Sequence, residues 1–474
     1  MKMENKEEET KIILTVTEAQ ELLKKNDPEL RKHIKAKLDP LLEIETQKKK
    51  IKGMTMLEME EMLLAAPRGR VYPNKRLLEY FQNYLRKLRD DHNKISCRKH
   101  LLKMFNRITD IFPVYGAGIV TARDKLTIKS SPEEALSTVK TVSEADENEA
   151  RLIFNLGIDT RDWKLKNARQ DIIENGVKKE YIVPILYRPF DIRYTYYTGK
   201  SRGYISTPRF RVMRHMLEDN MGLILVKKLN ADFFNHCLVT GAIIDNRITQ
   251  GNKSSVYLFP LYLYPENKKN KSESSQPNIN PVFIRSFNKY RGVFPGATAE
   301  QVFCFIYAVL FSTIYRKKFS EELKSDFPRI PITARNDLFT EMVKLGEKLV
   351  ELHLMKSPEL EHTVSTFEDM DNNAGNMITE IRYLQLSRMV YINESQYFSN
   401  ISKEMWEYRM LGYQVMAKWL KSRLGRKLSS KDIAHYIKIA RVIELTVEYQ
   451  KQIDSLYPKV EDHSISFLSL LEEK

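Results

Sequence analysis

The sequence has few cysteines and no long apolar run. Its three cysteines, Cys97, Cys237 and Cys304, are widely separated and odd in number, which predicts a reducing compartment and no disulfide framework. No apolar stretch reaches the roughly 20 residues that a membrane-spanning helix needs, and the first residues lack the apolar core of a secretory signal. These absences argue against a disulfide-rich secreted protein and predict a cytoplasmic chain with no membrane partner.

The motifs of several common enzyme classes are also missing. The chain has no Pro-Pro dipeptide, although amino-methyltransferases hold a flipped base with an Asp, Asn or Ser followed by Pro-Pro-aromatic. The short glycine cluster Gly116–Gly118 is interpreted as a plain turn rather than a cofactor loop. Gly199, Lys200 and Ser201 read Gly-Lys-Ser, but Tyr194 stands where a phosphate-binding loop requires glycine. Neither segment therefore predicts a nucleotide or cofactor site.

Residues 199–203 also spell Gly-x-Ser-x-Gly, the pattern of a hydrolase nucleophile elbow. That motif needs a helix directly after the serine, and the following residues GYISTPRF include Pro208, which argues against one. We predict a flexible basic loop here. Cys97 and His100 have no second pair of ligands nearby, so they do not predict a zinc site. We assign no catalytic, metal-binding or cofactor-binding residue to this chain.

What the sequence does have is positive charge. The chain carries 77 basic and 62 acidic residues, with a net charge of +15 and a pI near 9.3. This balance favours a polyanionic partner such as nucleic acid. Charge alone leaves a second interpretation open, because many basic proteins only carry solvated lysines.

The 474 residues exceed what one hydrophobic core usually supports and predict two or three domains. Apolar residues repeat at helical spacing before residue 105, whereas glycines and β-branched residues follow it. The predicted fold class is α+β: a helical basic N-terminal arm at 1–105, a mixed α/β domain at 106–355, a linker at 356–376 and a mainly helical C-terminal domain at 377–474. Strands are predicted at Gly222–Val226, Ala242–Ile244, Val256–Tyr264 and Ile378–Ile392. Helices are predicted at Glu300–Tyr315, Asp337–His353, Lys403–Arg423 and Asp432–Ile453, and an exposed loop at Glu266–Asn280.

The most distinctive segment runs from Tyr187 to Lys228 and interleaves nine basic residues with seven Tyr or Phe, against three acids. Arginine binds phosphates or guanine edges, and aromatic rings stack on bases. The candidate DNA-binding residues are Arg188, Arg193, Tyr196, Lys200, Arg202, Arg209, Arg214, Lys227 and Lys228. The alternative is that Phe190, Tyr194 and Tyr196 are core positions of a strand and that the arginines are solvated.

A second basic run lies near the C-terminus. It consists of Lys418, Lys421, Arg423, Arg426 and Lys427, with no acid among them. Positive charges stabilise the C-terminal end of a helix, and phosphate binding explains the run equally well. Both interpretations stay open.

Several long motifs, in order, resemble a known family. They are GIVTARDKL at 118–126, DTRDWKL at 159–165, YRPFDIRYTYYTG at 187–199, SRGYISTPRFRVMRHML at 201–217, FPLYLYP at 259–265, LKSDFPRIPI at 323–332 and GYQVMAKWLKSRLGRKLSSKDIAHY at 412–436. Together they resemble the C-terminal target-recognition (specificity) region of Type ISP restriction-modification enzymes and related N6-adenine DNA methyltransferases. The resemblance extends from about Phe112 to Asp454.

The resemblance implies a chain that recognises a sequence in double-stranded DNA and directs N6-adenine methylation, with or without cleavage. The methyltransferase, which uses S-adenosylmethionine, is then a partner chain or a missing module, because the first 105 residues are too short for that fold. A nuclease or helicase partner is a further implication, and a split system and a gene remnant fit equally. Asp191 and Asp245 are expected to orient neighbouring basic groups. The alternatives are a diverged or truncated adenine methyltransferase or nuclease acting as an enzyme itself, and a protein-interaction scaffold.

Overall fold

The computed structural model describes residues 105–465, except 232, 250–254, 267–273, 293–295, 334 and 371–374. The predicted helical arm, apart from Phe105, lies outside the described residues. The described residues belong to one compact unit. The predicted linker at 356–376 stays a prediction.

The described helices range in length from short helical turns to the long helices of the core. They are α1 Ile108–Ile111, α2 Asp124–Thr127, α3 Pro132–Glu144, α4 Glu147–Phe154, α5 Leu165–Asn175, α6 Phe210–Met213, α7 Pro281–Arg291, α8 Ala299–Phe311, α9 Thr313–Lys318, α10 Ser320–Ser325, α11 Asn336–His353, α12 Lys403–Glu407, α13 Val415–Lys421 and α14 Ser430–Asp462. No described helix is both long and apolar enough to cross a bilayer.

The described strands are mostly short. They are β1 Asn106–Arg107, β2 Gly116–Ala117, β3 Ile182–Arg188, β4 Asp191–Tyr196, β5 Gly222–Val226, β6 Cys237–Thr240, β7 Ile243–Ile244, β8 Val256–Pro260, β9 Tyr262–Leu263, β10 Gln276–Pro277, β11 Arg329–Ile330, β12 Ile332–Thr333, β13 Phe367–Asp369, β14 Arg382–Leu384, β15 Met389–Tyr391, β16 Gln396–Phe398, β17 Arg409–Met410, β18 Tyr413–Gln414 and β19 Ser464–Ile465. The mixture of helices and sheets confirms the predicted α+β class.

Three sheets organise the strands that matter most. One is antiparallel with order β2-β8-β5-β6, and a second has order β4-β3-β7. In the second sheet, β3 and β4 form an antiparallel hairpin, while β7 runs parallel to β3 with Ile185 beside Ile243. The third sheet, β13-β16-β15-β14, is antiparallel and lies near the C-terminus.

The core centres on three long helices that pack in series. Helix α8 begins with a capping box between Thr298 and Gln301, and all its residues from Val302 to Phe311 are buried. Helix α11 crosses α8 so closely that a Cβ at Gly346 would stand 1.9 Å from the carbonyl oxygen of Cys304. Helix α14 packs against α11. Only glycine permits this crossing, and α11 also contacts strand β6 of the first central sheet.

Buried polar groups between these helices are paired. The ring of His353 bridges the hydroxyls of Tyr307, at 2.6 Å, and Thr446, at 2.9 Å. Burial lowers the pKa of His353 to about 3, so the ring is neutral at physiological pH. Gln450 donates to the carbonyl of Phe311 at 2.9 Å. These bonds fix the register of α14 on the core.

Most predicted elements are present, and the differences have physical causes. Strand β5 matches its prediction, and Ser429 caps α14 as expected from the two serines there. Gly116–Ala117 is an edge strand paired with β8 rather than a turn. Its glycine is required because Val212 would lie 2.8 Å from a Cβ. The single helix predicted at 403–423 is two helices, because the hairpin β17–β18 interrupts it.

Candidate nucleic-acid interface

The two basic runs of the sequence meet in space. The hairpin β3–β4 supplies Arg188 and Arg193. Helix α13 supplies Lys418 and Lys421, and Arg423 lies two residues after the end of that helix. We call these five residues the basic cluster. The basic cluster brings together five of the predicted DNA-contact residues from both basic runs.

Asp191 joins the two halves of the basic cluster. Its side chain is 2% exposed, and one carboxylate oxygen accepts from Arg193 at 3.0 Å while the other accepts from Arg423 at 3.0 Å. Arg423 is 232 residues away in sequence. A buried carboxylate is stable only when its charge is neutralised by such partners. Asp191 thus orients two arginines, as expected from the sequence.

Aromatic rings pack against four of the cationic groups of the basic cluster. The guanidinium groups of Arg188 and Arg193 lie 3.9 and 4.3 Å from the ring centre of Tyr187. Lys418 lies 5.2 Å from the ring of Tyr413, and Arg423 lies 3.6 Å from the ring of Trp419. Such stacking restricts the side-chain rotamers, while Arg193 and Arg423 also donate to Asp191.

The cluster is under-neutralised by charge count, because its five cations surround the buried carboxylate of Asp191 and only one further acid of the described chain, Asp432, lies within 4 Å of Arg423, at 3.8 Å. The pKa of Lys418 is lowered first by burial and then by the charges of Arg188 and Arg193, while Asp191 opposes the shift. Like charges held this close repel one another, and an anion placed among them relieves that repulsion. The arrangement is therefore suited to binding a phosphate oxygen.

A buried acid lies beside the cluster. Asp245 follows strand β7, and desolvation raises its pKa to about 6, against a hydrogen bond from the backbone of Arg247 and the charge of Arg188. Three buried polar atoms of nearby residues make no hydrogen bond within the described chain: the Nε of Arg188, the amide oxygen of Asn246 and the hydroxyl of Thr249. Buried polar atoms normally have partners. These three atoms are therefore available to form hydrogen bonds with a bound ligand or a water molecule.

The residues from 198 to 210, which we call the anchored loop, present further basic residues. Arg202 and Arg209 are exposed. Lys200 forms an ion pair with Glu174. No helix follows Ser201 directly, since α6 begins at Phe210, so neither the phosphate-loop nor the nucleophile-elbow geometry is present. Many hydrogen bonds hold this loop, which corrects the expectation that it is flexible.

The remaining predicted contact residues have mixed positions. Tyr196 is fully buried and donates to the carbonyl of Gly176 at 2.8 Å, so the structure places it in the core as an inward-facing strand residue. Arg214 donates to the carbonyl of Tyr264 at 2.7 Å and is mostly buried. Four further predicted residues are exposed: Lys227, Lys228, Arg426 and Lys427.

Sequence reasoning missed the aromatic partners of the cluster. Tyr187 and Trp419 adjoin basic residues in sequence, which is the available signal, whereas Tyr413 lies between Gly412 and Gln414 and carries none. No group of three or more metal-ligating side chains occurs among the described residues. The site is thus built from cations, rings and a buried carboxylate.

The family match assigns this α+β unit to the class of specificity domains. The profile of the Type ISP C-terminal specificity domain matches residues 110–453, and the chain belongs to this family. The family resemblance predicted from the sequence is confirmed. No curated protein matches the sequence significantly.

Three solved structures share the fold. They are a nuclease-deletion mutant of the Type ISP enzyme LlaGI in complex with a DNA substrate mimic (TM-score 0.52, 17% identity, 74% of this chain and 34% of that chain), the ATP-dependent Type ISP enzyme LlaBIII bound to DNA (0.52, 17%, 72% and 23%), and a DrdV–DNA complex (0.53, 18%, 73% and 36%). The match therefore spans between 23% and 36% of the length of those chains.

Proposed function

We propose that this chain recognises a sequence in double-stranded DNA for a restriction-modification enzyme, and that the basic cluster holds the DNA backbone. The observation that carries the proposal is the convergence of two distant basic runs on Asp191. Cations that are stacked, oriented and under-neutralised suit phosphate contacts, which fix the position of a protein on the duplex. The family membership and the DNA-bound enzymes of the same fold support it.

The finer part of the proposal is a division of labour. A separate methyltransferase, binding S-adenosylmethionine, transfers the methyl group to adenine N6, and this chain supplies the binding energy that selects the site. The absence of a Pro-Pro motif from the sequence supports this division. A recognition domain promotes catalysis only when it is docked beside the domain that holds the flipped base.

DNA binding by the full-length chain should depend strongly on salt. If the five residues of the basic cluster neutralise about five phosphates, affinity for a duplex should fall roughly 500-fold between 50 and 200 mM salt. Fluorescence anisotropy with a labelled duplex measures this. The Lys418→Met variant should lower the slope of log affinity against log salt by about one.

The matched control for this experiment is Lys140→Met, which removes the same charge from an exposed side chain on helix α3 that pairs with Glu144. This variant should bind as the parent does. A parent slope near zero would remove the electrostatic argument.

Methyl transfer should require a second protein. The isolated chain, incubated with radiolabelled S-adenosylmethionine and duplex DNA, should transfer no methyl group. Adding a methyltransferase from the same cell that lacks its own specificity domain should produce N6-methyladenine at one sequence. Transfer by the isolated chain would instead support the alternative that it is itself a diverged methyltransferase.

A further inference from the structure

The anchored loop combines a buried middle, residues 203–206, with exposed residues on both sides. Gly203, Tyr204, Ile205 and Ser206 are buried, whereas Arg202 and Arg209 are exposed. Such an arrangement fixes the backbone and leaves particular side chains free to extend into solvent.

Asp171, on helix α5, holds the start and the buried middle of this loop. Its carboxylate is 1% exposed and accepts from the backbone N–H of Tyr204 at 2.8 Å and from the hydroxyl of Thr198 at 2.9 Å. Any side chain at position 203 would overlap it, since a Cβ at Gly203 would stand 2.2 Å from the carboxylate. The loop therefore docks on Asp171 in one arrangement.

Further hydrogen bonds fasten both sides of the loop. Trp163 donates its indole N–H to the carbonyl of Tyr204 at 3.1 Å, and Ser206 donates to the carbonyl of Asp162 at 2.8 Å. The hydroxyl of Tyr197 donates to the carbonyl of Pro208 at 2.7 Å. The backbone N–H of Arg202 donates to the carbonyl of Ser206 at 2.9 Å, which closes the buried middle of the loop.

Both exposed arginines occupy the left-handed region of the backbone, with φ of 56° at Arg202 and 53° at Arg209. Non-glycine residues rarely adopt this conformation, and they keep it only where the surrounding structure enforces it, often at functional sites. In the described part of the chain neither guanidinium makes a hydrogen bond or an ion pair. Asp162 feels the charge of Arg202, but its carboxylate is engaged mainly by Arg161.

We propose that Arg202 and Arg209 read guanine edges in the target duplex, while the basic cluster holds phosphates, and that Asp171 is the positioning residue for both. This inference rests on the proposed function. Bidentate contact with the O6 and N7 of guanine needs a guanidinium at a fixed place, and a rigid backbone provides it at low entropic cost. Phosphate contacts carry no sequence information.

The test is selection of bound duplexes from a random-sequence pool by the full-length chain, followed by sequencing. The parent should enrich one motif containing guanine. Arg202→Ala and Arg209→Ala should each lose the preference at one or two positions of that motif, with affinity for the parental motif falling about 10- to 100-fold. Arg211→Ala removes an exposed arginine on the adjacent helix α6 and should enrich the unchanged motif.

Two further variants separate reading from folding. Arg202→Gly removes the side chain but suits the left-handed backbone, so it should unfold at the same or a higher temperature than the parent while losing the same motif position as Arg202→Ala. Asp171→Asn should weaken the base preference at the motif positions assigned to both arginines and leave the salt dependence of binding unchanged. A general loss of structure would change both.

The outcomes distinguish this inference from the proposed function. A parent chain that enriches no motif would contradict the proposed function itself. A parent that enriches a motif, together with arginine variants that enrich the same motif or weaken all sequences equally, would overturn the reading role and leave DNA recognition standing.

Discussion

Replacing Gly346 by alanine is expected to destabilise the fold by at least about 3 kcal/mol, and replacing it by leucine should prevent folding. A Cβ at this position would lie 1.9 Å from the carbonyl oxygen and 2.5 Å from the carbonyl carbon of Cys304, which are backbone atoms of the buried helix α8. Overpacking a core costs about 1 to 3 kcal/mol when side chains can move. Here two long helices would have to separate. Urea unfolding followed by circular dichroism measures the effect.

The sign of this prediction is informative. Alanine is favoured over glycine within a helix by about 1 kcal/mol, so Gly346→Ala would stabilise the protein if the crossing were loose. The control is Gly241→Ala, where a Cβ would meet only the carbonyl oxygen of Asn220 at 3.5 Å. That variant should stay within about 0.5 kcal/mol of the parent. A Gly346→Ala protein as stable as the parent would contradict the close packing of α8 and α11.

The sequence predicts elements best where the pattern is long and local. Helix α11 was expected at Asp337–His353 and spans Asn336–His353, because its apolar residues repeat at helical spacing over five turns. Strand β2 was missed because only two residues pair, and their partner β8 is about 140 residues later in the chain. Short edge strands depend on such distant partners, which no local pattern reports.

The candidate site was predicted as residue types but not as a place. Both basic runs were recognised by composition, yet their meeting depends on Asp191 and Arg423, 232 residues apart. Tyr196 was assigned to the contact surface because it is aromatic and lies among arginines. In the structure its strand position directs it inward, and it is fully buried. The adjacent Thr195 is fully buried as well, so both faces of β4 are covered at this end, which no local alternation pattern reports.

Asp171 illustrates a different limit. It lies in an ordinary helical segment, and its role arises only because the anchored loop folds back onto it from 27 to 33 residues later. Asp191, by contrast, carried a local signal, since an acid among many arginines is expected to orient them. The two carboxylates therefore differ in how far sequence reasoning can assign them.

Replacing Asp191 by asparagine is expected to damage both stability and DNA selectivity. Removing one partner of a buried ion pair costs about 3 to 5 kcal/mol, because the remaining charges lose their compensation. In this variant Arg193 and Arg423 would face Arg188 and Lys418 without the buried carboxylate. The free energy of unfolding, measured with urea, should fall by that amount.

The effect on DNA binding is opposed by a second term. The variant gains one positive charge, which strengthens attachment to any duplex, whereas the arginines lose the geometry that places them on one duplex register. We expect the second effect to dominate for the preferred sequence, so that the ratio of affinities for preferred and random duplexes falls at least about tenfold. The control is Glu144→Gln, which makes the same change in charge at an exposed carboxylate 3.9 Å from Lys140. Because exposed ion pairs contribute about 0 to 1 kcal/mol, Glu144→Gln should keep both stability and selectivity. Equal behaviour of the two variants would show that net charge, rather than the bridge at Asp191, sets how this surface holds DNA.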